Sequence, residues 1–263
     1  MITDKHTMNA CGVSEAIGFL LIFSIVIAGI GLVTLYGYPL LMQQQTSADE
    51  QIMEKNMIVL QNDVKSLAYK TVPYKETSLK VGSGTLSVHP PDSPSQSTFR
   101  IYDNSGGLNP DLVSEFPPGE LRYESIEAQT DISLQNGAVI KRARVGDGSV
   151  MLAEPRWFFD DVTNTLVINL ISLNSTGSLA KTGIGTVQMK LGETKYESRD
   201  LGGLTVLLDY TPDPTQDTST AWRTYLTRNG WTNTIASTYR FDDFNAGDRT
   251  VVVKQYDVMI QSL

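Results

Sequence analysis

Few residues in this chain of 263 could do chemistry, and their spacing limits what that chemistry would be. There is one cysteine, Cys11, and there are two histidines, His6 and His89. Zinc is ordinarily held by several Cys and His side chains, so a zinc site of the usual ligand types is excluded. The serines stand without a partner histidine, which argues against a catalytic triad. Gly82-Ser83-Gly84 and Gly183-Ile184-Gly185 have neither the spacing nor the strand-to-helix context of a phosphate loop and read as turns and bulges. Three acidic groupings remain. Asp209, Asp213 and Asp217 recur in a proline-rich loop, while Asp160-Asp161 and Asp242-Asp243 are pairs beside aromatic residues. Such loops offer oxygen-only ligation of calcium, but none matches a calcium-loop pattern, and solvated turn residues are the simpler reading. Whether any carboxylate pair could hydrolyse a glycoside turns on distances. Trp157, Trp222 and Trp231 offer faces for sugar binding, although core packing is the commoner fate of tryptophan. Asn174-Ser175-Thr176 is an acceptor sequence for N-linked glycan in an expected loop. No constellation supports an enzyme, and no cofactor or metal is implied.

The elements that hold these residues begin with an apolar run. From Ala16 to Met42 there is no charged residue. At 1.5 Å per residue a helix of this length spans roughly 40 Å, more than the ~30 Å hydrocarbon core of a bilayer. It is nearly twice as long as the apolar region of a cleaved secretory signal, and Cys11 precedes it, whereas a lipoprotein signal would place Cys after. Gly18, Gly29, Gly31 and Gly37 interrupt it. They fit close packing against other helices, or simply the abundance of glycine in membrane helices. Pro39 removes a backbone donor and predicts a kink or local melting, with Tyr36 and Tyr38 at a membrane interface. The only base before the run is Lys5, and acidic residues follow it, so the positive-inside tendency leans towards a cytoplasmic N-terminus and an outside C-terminal domain. With a single cysteine no intrachain disulfide can form, and an outside domain must be stable by packing alone.

Beyond Pro39 the helical period continues. Met53, Met57, Leu60, Val64 and Leu67 form a stripe at spacings of four and three, with Glu54, Lys55, Asn56, Gln61, Asp63 and Lys65 on the other faces. The helix is expected to reach about Tyr69 and end before Pro73. Docking on a sheet is the first expectation for the stripe, and a seam with a sister subunit is the second. From about Lys75 short β-rich runs alternate with turn clusters. Strands are expected over 80–88, 98–102, 120–128, 132–134, 138–145, 165–173, 185–190, 204–210 and 249–256, with a tight hairpin at Asn136-Gly137. One short helix is expected over 221–229, capped by Ser219 or Thr220, stopped by Gly230, and buried through Trp222, Tyr225 and Leu226. The fold class is therefore mainly β with one long N-terminal α-helix, a β-sandwich-like extracellular domain and one short additional helix.

Cys11-Gly12-Val13-Ser14-Glu15-Ala16-Ile17-Gly18-Phe19 resembles the processing region of archaeal type IV pilin-like proteins. In that family a small residue, often glycine, is followed by a Val-Ser-x-x-Ile-Gly pattern that opens the helix. Lys or Arg usually stands just before that glycine, where this chain has Cys11. The resemblance runs from Gly12 to Met42. It implies cleavage after Gly12 by a prepilin peptidase, leaving Val13 as the new N-terminus. It also implies sister subunits and an assembly machine as partners, helix packing through Gly18, Gly29 and Gly31, and pairing of Glu15 with the freed amine of a neighbour. Read without the resemblance, Glu15 simply complements the helix dipole and Ser14 caps the N-terminus.

The expected organisation is a leader over 1–12, a hydrophobic helix over 13–42, an amphipathic extension over 43–72 and an all-β domain over 73–263. The net charge of −8, spread along the chain, argues against nucleic acid as a partner. The expected function is a structural or adhesive cell-surface subunit, membrane-anchored and able to assemble through its N-terminal helix. The alternative is a single-pass surface protein that never polymerises and binds a ligand or envelope component through its β domain.

Overall fold

The computed structural model describes residues 10–70, 72–106, 111–146 and 148–263. The chain divides into two compact units, one ending at Ala48 and one beginning at Asp49. In the first, every described residue is helical. Helix α1 (Ala10–Leu32) passes through a single π-helical turn, Val33–Gly37, into helix α2 (Tyr38–Lys70). The π turn has a local cause. Pro39 lacks an N–H, and in a regular α-helix its ring would clash with the Leu35 carbonyl. Widening the preceding turn relieves this, and the Tyr38 N–H donates to the Val33 carbonyl, five residues back. The expected kink or melting at Pro39 is thus replaced by an uninterrupted helix with one wide turn.

The second unit is built on two sheets. The larger has nine strands, ordered β7 (Ser149–Ala153), β6 (Ala138–Ala143), β5 (Thr130–Gln135), β4 (Glu120–Ser125), β1 (Tyr74–His89), β10 (Leu179–Gly202), β14 (Arg249–Ser262), β9 (Thr165–Ser175) and β8 (Phe158–Asp160). The smaller has five, ordered β12 (Trp231–Ile235), β13 (Thr238–Phe241), β11 (Val206–Thr211), β2 (Thr98–Asp103) and β3 (Asp111–Phe116). All pairings are antiparallel except β14 with β9.

Side-chain alternation along the central strands explains the layering. On β14, Val251 and Val253 join a core shared with the five-stranded sheet, whereas Tyr256, Val258 and Ile260 belong to a second core. On β9 the same division separates Leu166, Ile168 and Leu170 from Ile171 and Leu173. Since successive residues point to opposite faces, each strand serves one core at its start and the other at its end, and the parallel β9–β14 pair keeps one register throughout. The first core includes the short helix α3 (Ser219–Arg228), whose Trp222 is fully buried against Phe99, Tyr210 and Trp157. The second core is closed by α2.

Met53, Met57, Leu60, Val64 and Leu67 are all fully buried on the nine-stranded sheet. Burial of such side chains stabilises by about 1.5–3 kcal/mol each. The stripe is therefore a docking face, not a seam left open for a sister subunit. Polar bonds fix its register. Buried Gln61 donates from Nε2 to the carbonyls of Gly137 at 2.7 Å and Glu154 at 3.0 Å. Gly137 and Asn136 form the two-residue turn between β5 and β6, with φ of 71° and 48°, as the Asn-Gly signal requires. The Asn136 side chain in turn accepts from the Ile171 N–H at 2.9 Å, so one hairpin tip joins helix, hairpin and β9. On the helix's flank, Lys141 sits 3.0 Å from Glu50 and 2.7 Å from Glu54.

Leu60→Ala is expected to cost about 2–5 kcal/mol, because it leaves a cavity between α2 and the sheet. The measurement is the thermal transition of the full chain in detergent, followed by tryptophan fluorescence. All three tryptophans lie in the other core, so a lowered transition shows that helix and both sheets melt together. An unchanged one would show that they do not.

Candidate functional site

From Ile17 to Leu41 the large apolar side chains are 51–69 % exposed. This helix is long and apolar enough to cross a membrane. An exposed apolar surface of this extent marks a membrane or protein contact. Its few polar groups suit such a setting. Ser24 and Thr34 turn their hydroxyls onto the carbonyls of Leu20 and Ile30, at 2.7 and 2.9 Å, which leaves neither donor unsatisfied. A methyl group added at Gly18, Gly29 or Gly31 would meet nothing within 4 Å, so these notches are open. Gly12 and Val13 lie in the backbone of α1, which already begins at Ala10. The side chains of residues 10–15, Glu15 among them, lie outside the described residues, as do residues 1–9 with His6.

In the β domain the acidic groupings separate. Asp209 accepts from Tyr102 and Thr238, Asp217 accepts from the Ser219 N–H ahead of α3, and Asp160 closes a turn with Thr163. Asp242 pairs with Arg240, while Asp243 lies against Gly230. Among the described residues, no three His, Cys, Asp or Glu come together as a metal site. The three tryptophans are core residues, 0–9 % exposed. Asn174 is in β9 instead of a loop. It is half-buried on the wall of a cavity of about 380 Å³, beside Glu193 and Asp257, and its Oδ1 accepts from the Ser175 N–H. Burial, reinforced by Glu193, pushes the Asp257 carboxyl above its usual range.

Asp213 belongs to a feature the sequence did not reveal. On the nine-stranded sheet's face away from α2, buried Arg122 reaches three carboxylates: Glu120, Asp213 at 3.4 Å and Glu124 at 3.6 Å. Next to it, Asp131 holds Arg142 at 2.5 Å and Arg144 at 2.7 Å. Burial pushes the Glu120 carboxyl upward, and the adjacent guanidinium opposes that. The only sequence signal was alternation: Glu120, Arg122 and Glu124 share one face of β4, opposite Leu121 and Tyr123. Each charge has a partner, so the cluster serves to hold the Asp213 loop to β4. Removing one member of such a set leaves an uncompensated buried charge.

His89 stands at the edge of this cluster, with its Nε2 3.0 Å from the Ser87 hydroxyl. Burial first, and then the Arg122 guanidinium, lower its pKa from 6.5. The folded state thus favours neutral imidazole. Its contribution to stability is full above about pH 6.5 and is lost as pH falls through the folded value. The wild-type chain is therefore expected to lose stability relative to His89→Gln below pH 6.5, with the His89 ring resonance titrating below 6.5. Parallel pH profiles of the two proteins would contradict this.

Comparison with known proteins yields no match among curated proteins and none among solved structures. A family of unknown function, DUF7289, matches residues 11–261, a span that takes in both the apolar helix and the β domain. The chain belongs to that family.

Proposed function

We propose that this chain is a membrane-anchored structural or adhesive cell-surface subunit of type IV pilin-like kind. The observation that carries the reading is the bare apolar helix, exposed around its whole circumference from Ile17 to Leu41, with open notches at Gly18, Gly29 and Gly31. Small residues let helix backbones approach closely, so the same surface suits lipid before assembly and neighbouring helices after it. The resemblance of residues 12–18 to a prepilin processing region supports the same reading. In this reading a prepilin peptidase cuts after Gly12, sister subunits and an assembly machine are the partners, and Glu15 meets the freed amine of a neighbour. The β domain lies outside the cell, where a fold held by two packed cores needs no disulfide. It performs no catalysis and binds no nucleic acid. Asn174 is its acceptor for a surface glycan, with exposed Thr176 completing the sequence.

The alternative is a single-pass anchor that never polymerises. It is favoured by the helix being long enough to span a bilayer unaided. The two differ in the mature N-terminus. Mass spectrometry of the protein from membranes is expected to show a chain that starts at Val13. A chain that retains Cys11 would overturn the assembly reading and leave the uncut anchor.

A further inference from the structure

Helix α2 ends at Lys70, but the sheet it covers continues. Past the last helical turn, the same face of β10, β14 and β9 is uncovered and forms an open groove of about 450 Å³. Its floor is Val167, Asn169 and Val252, neighbours across the parallel β9–β14 pair. Its walls carry Tyr69, Tyr196, Tyr256 and Phe158, and its charges are Arg156 and Lys254. No carboxylate lines it.

Three features of this groove point outward. The first is its charge. The chain carries −8 overall, and Arg100, Arg122, Arg142, Arg144, Arg199 and Arg240 each have a carboxylate partner. Arg223, Arg249 and several lysines have no ion pair among the described residues, and Arg156 and Lys254 are the unpaired cations that line this groove. Arg156 instead lies over the Tyr69 ring, 4.9 Å from its centroid. A guanidinium held over an aromatic face can still present its N–H fork to a carboxylate. Lys65, nearby on α2, donates to the Glu154 carbonyl, and burial chiefly lowers its pKa, with Arg156 adding to that and Glu154 opposing it.

The second feature is the exposure of the aromatics. Tyr196 is 63 % and Phe158 46 % exposed, in contrast to the buried tryptophans. Broad ring faces held on strands offer apolar contact at low cost in side-chain entropy. The third is the backbone. The floor strands β9 and β14 are interior to the sheet, whose free edge here is that of β8. On the floor, recognition uses ring faces and charges, which matches a ligand with apolar ring faces and carboxylates.

We propose that this groove binds an acidic polysaccharide, its sugar rings stacked on Tyr196 and Phe158 and its carboxylates held by Arg156 and Lys254. The inference stands whether or not the N-terminal helix assembles.

The test is calorimetric titration of the full chain in detergent with oligogalacturonate, and with a neutral oligosaccharide of equal length. Saturable binding is expected for the acidic oligomer, at least about tenfold weaker for the neutral one, and weakened by added salt. Tyr196→Ala and Lys254→Gln, both at solvent-accessible positions, should each reduce affinity about three- to tenfold with the thermal transition unchanged. Absence of binding would overturn the proposal, as would equal binding by both variants. Polyglutamate bound as tightly, and insensitive to Tyr196→Ala, would also overturn it, in favour of an acidic protein segment as the occupant.

Discussion

A large sheet has two faces, and each must be covered by something apolar. Here the helical stripe from Met53 to Leu67 covers one face of the nine-stranded sheet, and the five-stranded sheet with α3 covers the other. Without the stripe, Leu79, Val81, Leu121, Ile132, Leu134 and Val258 would face water. The helix that leads out of the apolar run is therefore also a layer of the β domain. The boundary between the two units, at Asp49, falls inside α2 and not at its end. The same constraint explains the burial of β9 and β14, each buried on one face at its start and on the other at its end, because the cover changes face partway along each strand.

What could be read from the sequence followed from how local its cause is. The stripe on α2, the Asn136-Gly137 hairpin and the buried face of α3 rest on period and turn chemistry within a few residues, and each is found where it was expected. The helix cap is not. Thr218 precedes α3, but its hydroxyl is engaged with Tyr210, and Asp217 receives the Ser219 N–H instead. The expected strands leave out β3, β7, β8, β12 and β13, although β3 and β7 carry apolar residues. β12 is polar and exposed after Trp231, and its turn into β13 places Ala236 at φ 50° without a glycine to mark it. β10 runs over Leu179–Gly202 but was expected only over 185–190, because Glu193–Glu197 is polar on both faces where the sheet is open.

Sites assembled from distant segments were not legible at all. The Arg122 cluster joins β4, β5 and the Asp213 loop, and the aromatic groove draws on α2, β8, β9, β10 and β14. Conversely, residues conspicuous in sequence, such as Trp222 and the paired aspartates, are consumed by packing and turns. Apolar and aromatic side chains go to the core unless geometry prevents it. The exposed ones, along the first helix and beyond the end of α2, are for that reason the informative ones.

The central claim is that the C-terminal half of α2 is an integral layer of the β domain. Native-state hydrogen exchange on the full chain in detergent tests it most directly. Amides from Met53 to Leu67 should open only with the same free energy as those in the centre of β14, since neither can be exposed without breaking the shared core. Exchange of the helix at markedly lower free energy, with β14 still protected, would mean that the helix rests on a domain that is complete without it.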